Sequence, residues 1–285
     1  MKAELIGYSK GLYSSWFYVK SARILLDAGE GITLAMGKRV FSIRQVFLSH
    51  GHEDHITGLP ALVNLRNLSS GPREIPLEVY YPKGDPYATC LREYVSSKQA
   101  GLLRYELTWH ELSPGDSVTI RAVKRPARVV AFAVEHTQDW QSLGYRVDEK
   151  RNEPKPEFQA MSSQEIASRI EKLGHKAVIT SVWKPILAYT GDCSALLDAH
   201  ALNGVDRLLI DCTYLSREES TGTYHNDLFS ALNMAKNARV TNMTLFHISD
   251  RYDLAEVIGA VRDTWTRYGL TLRIGLFWEG EYHEV

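Results

Sequence analysis

The run His50-Gly51-His52-Glu53-Asp54-His55 constrains this chain more than any other stretch. Four metal-binding side chains fall within six residues, directly after Val46, Phe47 and Leu48, which read as a buried strand. A strand that ends in a ligand-rich loop aims several side chains at one point. Imidazole suits zinc and similar transition metals, and a carboxylate adds a hard anionic ligand. One loop with this many donors exceeds what a single open catalytic zinc takes from it, so two metals are expected. A solvated, metal-free His-rich loop is the competing reading, and it leaves the partner residues described below unexplained.

The chain has room for such a site. Its 285 residues, 44% hydrophobic and 24% charged, suffice for a full core, and we expect one domain over residues 1–285. No apolar run approaches the ~18 residues of a membrane span, so no membrane partner is expected. Met1-Lys2-Ala3-Glu4 lacks the pattern of a secretory signal. Cys90, Cys193 and Cys212 are too scattered for a disulfide framework, which points to a reducing, cytoplasmic setting. A net charge of −1 argues against a broad, nonspecific nucleic-acid binder but not against a local basic face.

Apolar patterning predicts strands over Ala3–Tyr8, Phe17–Val19, Ala22–Asp27 and Val46–Leu48, then a helix over Gly58–Leu68. A β-rich segment at Leu77–Tyr81 and a helix at Pro86–Ser97 follow. Further strands are expected at Tyr105–Glu111, Ser117–Val123, Val129–Glu135 and Leu143–Val147. Asp148–Lys184 breaks the rhythm: it opens polar and Pro-containing, then carries an amphipathic helix over Ser163–Leu173, with capping chemistry at Ser162 and a stop at Gly174. We expect a small substrate-binding excursion there. The last third alternates strands (Ile186–Tyr189, Arg207–Ile210, Met243–Phe246, Leu272–Ile274) with helices (Asp227–Lys236, Leu254–Tyr268). Two β-rich halves, each followed by helices, imply an α/β fold arranged as an αββα sandwich. No GxGxxG or GxxxxGK[ST] run appears, so neither common nucleotide-binding loop is supported.

Three more candidate ligands sit where strands deliver side chains to loops. His136 closes Val129–Glu135, Asp192 follows Ile186–Tyr189 through Thr190-Gly191, and His247 caps Met243–Phe246. Of the ten histidines, His110, His175, His200 and His283 lack comparable placement and are assigned surface or packing roles.

The loop pattern HxHxDH with a distant His, Asp and His resembles the metallo-β-lactamase superfamily. That resemblance implies one zinc held by His50, His52 and His136, a second held by Asp54, His55 and His247, and Asp192 bridging both. Other divalent metals such as Mn2+ suit the same donors. Two such ions ~3.5–4 Å apart bind a bridging hydroxide and stabilise the attacking and leaving oxygens of a phosphoryl transfer.

Within the superfamily, flanking segments resemble the ribonuclease Z family of tRNA 3′-end processing endonucleases, in its short form. They are Leu25-Leu26-Asp27-Ala28-Gly29-Glu30-Gly31, His136 with Ser142-Leu143-Gly144-Tyr145-Arg146, and His247-Ile248-Ser249-Asp250-Arg251-Tyr252. Arg207–Thr213 followed by His225 resembles the family's segment carrying an acid and a catalytic histidine. The resemblance spans about Ala3 to Glu279. It implies zinc-dependent removal of the 3′ trailer from precursor tRNA by a dizinc-bound hydroxide, leaving a 3′-hydroxyl, in a homodimer. His225 would be the general acid, Asp211 would orient it, and Asp54 would be catalytic as well as a ligand.

Several departures from the family pattern stand out. Asp211 replaces the common Glu, His225-Asn226-Asp227 replaces His-Ser-Thr, Ser9–Trp16 lacks Pro-x-Lys-x-Arg-Asn, and the long Gly-Pro-rich arm is absent. For RNA contacts we expect Arg66 and Arg73 beyond the metal loop and Arg251 beside the last ligand, with Arg121, Lys124, Arg125 and Arg128 as a basic cluster. The missing arm and near-neutral charge keep open a zinc phosphodiesterase acting on small or cyclic phosphodiesters.

Overall fold

Strands buried on both faces read as unbroken apolar runs, and here that property sets the layers. In the computed structural model, residues 4–68, 75–121, 123, 125–196, 198, 200–269 and 271–285 are described. One sheet holds β1 (Leu5–Lys10), β2 (Ser14–Val19), β3 (Ile24–Leu26), β4 (Gln45–Phe47), β5 (Leu77–Pro82) and β6 (Leu107–Leu112), in that order. Its first three strands are antiparallel, and the rest continue parallel. The second sheet draws on β7 (Ser117–Thr119), β8 (Ala127–Glu135), β9 (Ser142–Pro154), β10 (Ile179–Tyr189), β11 (Ala195–Leu196), β12 (Arg207–Asp211), β13 (Asn242–Phe246), β14 (Arg273–Trp278) and β15 (Glu281–Glu284). Their order is β11-β8-β9-β10-β12-β13-β14-β15, with β7 beside β8. Its β10, β12, β13 and β14 run parallel.

Helices cover the outer faces and tip one hairpin. They are α1 (Ile32–Met36), α2 (Glu53–Ile56), α3 (Leu59–Leu68) and α4 (Pro86–Lys98), then α5 (Ser163–Leu173), α6 (His175–Val178), α7 (Arg217–Ser220), α8 (Leu228–Asn237) and α9 (Leu254–Tyr268). Alternation along each strand assigns side chains to layers. Ile24 and Leu26 enter the core between the sheets, whereas Leu25 packs outward with Leu59, Leu62 and Val63 of α3. In the other sheet Leu209 and Phe246 point to the centre, and Leu208, Ile210, Met243 and Leu245 meet α8 and α9. Phe17 lies at the middle, its ring 5.6, 5.4 and 5.0 Å from Tyr189, Phe246 and Phe277 in edge-on contacts. The result is the αββα sandwich implied by the element pattern.

The polar segment after Val147 differs from its expected form. Strand β9 continues to Pro154 and pairs with β10 from Ile179 onward, so residues 148–184 form a long antiparallel hairpin tipped by α5 and α6. Its charges are paired both along β9 and with neighbouring segments. Asp148 is buried and bonds Arg128 and Arg146, and buried Glu149 accepts from Arg151 at 2.9 Å and meets Arg125 at 3.8 Å. Arg121 pairs with Glu78 at 3.0 Å. Much of the basic cluster is therefore neutralised within the protein, and Lys124 lies outside the described residues.

Arg66 does not contact substrate in this fold. It is 4% exposed, and its guanidinium donates to the carbonyls of Val40, Ile43 and Ile75, each at 2.9 Å. Burial pushes its pKa down. Its role is to fasten α3 to the turn after α1. Arg73 falls outside the described residues. Arg66→Met strands three carbonyls and should lower the unfolding free energy by roughly 2–4 kcal/mol, read as a fall in the urea midpoint. An unchanged midpoint with weakened RNA binding would restore the substrate-contact reading.

Candidate metal centre

The site forms where strand ends from both sheets converge. After β4 the chain passes through Ser49 and His50 to His52, which stands at the start of α2. Gly51 lets it pass under α4: a Cβ there would lie 2.4 Å from Asp85 Oδ1 and 2.6 Å from Tyr87 Cβ. His136 follows β8, Asp192 follows β10 through Gly191, Asp211 ends β12 and His247 follows β13. Two non-glycine residues here occupy left-handed backbone, Asp27 at φ 56° and His247 at φ 61°. Such conformations persist where surrounding bonds over-determine them. Asp27 N–H bonds the Phe47 carbonyl at 2.8 Å, and His247 N–H bonds Ser9 Oγ at 2.8 Å.

Three donor groups emerge among the described residues, two made of the expected ligands and a third of His225 with Asp192, Asp211 and His247. His50 Nε2, His52 Nδ1 and His136 Nε2 close on one another, with 3.0 and 3.2 Å between His52 and the other two. Asp54, His55, Asp192 and His247 form the second group: His247 Nε2 is 3.1 Å from Asp54 Oδ2, and His55 Nε2 is 3.5 Å from it. Asp192 Oδ2 stands between them, 3.3 Å from His55, 3.2 Å from His247, 3.9 Å from His136 and 4.0 Å from His50.

The opposite nitrogen of most of these imidazoles is anchored, the arrangement that orients metal-binding histidines. His136 Nδ1–H donates to the Tyr224 carbonyl (2.8 Å) and His247 Nδ1–H to Thr213 Oγ1 (2.9 Å). His55 Nδ1–H donates to Asp27 (2.7 Å), and His50 Nδ1–H to Ser49 Oγ (2.9 Å), whose hydroxyl donates to Asp27 (2.7 Å). Tyr189 Oη adds a third side-chain donor to Asp27, at 2.5 Å. Asp27, Ser49, Tyr189 and Thr213 have structural parts that sequence reasoning missed. Asp27 and Thr213 lie inside segments quoted for their family resemblance, but their partners are remote in sequence.

The three histidines of the first group are held in the form that suits cation binding, whereas the carboxylates of Asp192, Asp54 and Asp27 push the buried His55 up. Burial holds His50 and His52 low and takes His136 down to about 4, favouring the neutral form that a metal requires. Burial opposes the charge on Asp192, yet His247 and His55 hold its carboxyl well below the usual range. His55 Nε2 and Asp192 Oδ1 are buried without a hydrogen-bond partner. Unsatisfied buried donors of this kind are rare unless something fills them, so a divalent metal fits this donor set.

A third set surrounds His225. Its Nδ1–H donates to Asp211 Oδ2 at 3.1 Å and lies 3.8 Å from Asp192. The shorter Asp211 side chain thus reaches His225. Asp211 is itself fixed by the backbone of Cys193 and by Thr213. Burial disfavours the His225 cation, but Asp211 more than offsets this and pushes the pKa up to about 9. Arg251 stays exposed, ion-paired to Glu219 at 3.0 Å and stacked over Tyr214 at 5.1 Å.

Known proteins resemble this chain in sequence and fold. The family described as the beta-lactamase superfamily domain matches residues 22–248. Ribonuclease Z of Thermococcus sibiricus is 30% identical over 260 residues, 82% of this chain and 79% of that protein. Ribonuclease Z of Pyrococcus horikoshii is 28% identical over 253 residues, covering 82% and 79%. Human tRNase Z, short form, shares the fold with a TM-score of 0.63 at 20% identity, covering 87% of this chain and 93% of that one. A fold with strand-end donors for divalent metal defines a class of hydrolases. The chain belongs to the metallo-β-lactamase superfamily and, within it, to the ribonuclease Z family, and it is a phosphodiester hydrolase.

Asp27→Ala should weaken metal retention about 10–100-fold, because it frees both His55 and the Ser49–His50 chain. A chelator competition titration measures this, and wild-type retention would reduce Asp27 to a packing role.

Proposed function

We propose that this chain is an endoribonuclease that removes the 3′ trailer from precursor tRNA and leaves a 3′-hydroxyl on the tRNA. The observation carrying the reading is His225, held by Asp211 beside the two donor groups yet outside both of them. Lactamase or thioesterase chemistry gives such a histidine no evident task. Relatives named ribonuclease Z over most of the chain support the same conclusion.

Two zinc ions suit the donors: His50, His52 and His136 for one, Asp54, His55 and His247 for the other, and Asp192 between them. When bound, they supply Lewis acidity at the phosphoryl group and ionise water near neutral pH. Asp54, within hydrogen-bond reach of His247, is assigned a catalytic role as well as that of a ligand. As the phosphorus–O3′ bond breaks, His225 delivers a proton to the departing 3′ oxygen. Asp211 fixes the tautomer that presents Nε2 and stabilises the cation before transfer. Arg251, exposed near the last ligand and ion-paired to Glu219, is assigned to RNA phosphates. A homodimer and a cytoplasmic setting complete the proposal. Free Cys90, Cys193 and Cys212 fit a reducing compartment, and among the described residues no helix is long and apolar enough to cross a membrane.

A phosphodiesterase for small or cyclic diesters is the second reading, favoured by the internally neutralised Arg125, Arg128 and Arg151. Comparison of kcat/KM on a precursor tRNA and on a small chromogenic diester separates the two. Efficient turnover of the small ester alone would remove the tRNA reading. His225→Ala should depress RNA cleavage about 10²–10⁴-fold with metal content intact; loss of metal in that variant would make His225 a ligand instead.

A further inference from the structure

The loop after His136 runs from that residue to the first turn of α4, and the proposed chemistry leaves its side chains without a task. At one end Gln138 Nε2 donates to Tyr224 Oη at 2.7 Å. At the other, the Trp140 indole meets the ring of Tyr87, centroids 5.2 Å apart and planes at 70°. Tyr87 stands on the first turn of α4 directly against Gly51, the residue between His50 and His52. The loop backbone is held by the Thr137 hydroxyl, which donates to the Trp140 carbonyl and lies 2.9 Å from Ser142 Oγ.

The apolar cores do not account for these two rings. Neither belongs to any of the three apolar cores, and Tyr87 is 49% exposed. Trp140 Nε1 is buried and lacks a hydrogen-bond partner. Two rings at this angle make a corner, in which a planar group lying flat on one presents its edge to the other. Such a corner takes any nucleobase, since every base has a π face. Sequence-tolerant capture of unpaired nucleotides is the usual use of aromatic side chains in RNA-cleaving and RNA-binding sites.

Resting on the nuclease reading above, we propose that Tyr87 and Trp140 form a stacking platform for the nucleobase next to the scissile phosphate, on the His52 side of the metal centre. They position substrate and take no part in proton transfer. The platform would hold one unpaired nucleotide of the RNA in place beside the metal centre.

A cycle of protein and substrate changes tests this. A short precursor-like RNA with an unpaired 3′ trailer is prepared intact and with an abasic ribose at each nucleotide flanking the cut. kcat and KM are then measured for the unsubstituted chain and for Tyr87→Ala, Trp140→Ala, Tyr87→Phe and Trp140→Phe. On intact RNA the alanine variants should lose about 5- to 100-fold, mainly as a rise in KM, and the phenylalanine variants should keep most of their efficiency. On the RNA lacking the stacked base, the alanine variants should match the unsubstituted chain. Trp140→Leu, which keeps bulk without a π face, serves if the alanine variant does not fold. Equal losses on intact and both abasic RNAs would mean that the loop merely supports His136, and no loss on any RNA would mean that the rings are unused. Either overturns the platform alone. If the unsubstituted chain fails to cut intact RNA, the nuclease reading falls and the platform with it.

Discussion

A single buried carboxylate ties the two sheets to one point. Asp27, fully buried at the end of β3, accepts from Ser49 beside it, from His55 on α2 and from Tyr189 across the sandwich. A buried charge is tolerable only when its hydrogen-bonding capacity is used. Here the donors come from both sheets, so the charge is satisfied only when the sandwich has closed. The same bonds aim His55 and, through Ser49, His50. Correct packing and correct ligand geometry are thus one event.

The electrostatics of the centre divide along the same lines. Burial acts on every group but with opposite consequences, because its partners differ. His50, His52 and His136 lie mainly among one another and lose their charge, whereas Asp192 sits among imidazoles and keeps its own. His225 gains charge from Asp211 at the edge of the cluster. An acid next to cation ligands usually loses its proton to their field; a dedicated carboxylate behind His225 counters that tendency.

Much of this was legible in the chain. Residues Leu254–Tyr268 read correctly to both ends because Asp253 caps the helix and Gly269 stops it in left-handed backbone. The candidate donors stood out because they follow apolar strands or lie in the dense loop and short helix after β4. Strand β9 was cut short in the reading, since a run such as Asp148-Glu149-Lys150-Arg151 looks solvated until its partners on neighbouring strands are known. Arg66 misled for the same reason: three carbonyls contributed by distant residues bury it. Asp27 and Tyr189 are 162 residues apart, and no local pattern announces such a bond. Residues that touch a metal carry their chemistry in their type, whereas residues that hold ligands in place are defined by company.

The long hairpin has a mechanical consequence. Strand β10 begins at the tip segment, at Ile179, and ends at Tyr189, three residues before Asp192. It is a continuous rod on the order of 35 Å long, at about 3.3 Å per residue. One end meets the tip helices, and the other leads to Asp192, whose carboxylate lies 3.2–4.0 Å from histidines of both donor groups. The rod has one joint, where the register with β9 shifts between Pro185 and Leu187 and proline withholds a ladder bond. The interruption in the ladder thus lies between the tip and Asp192, so the part of the hairpin beyond Pro185 is joined to the donor groups through a single irregular step.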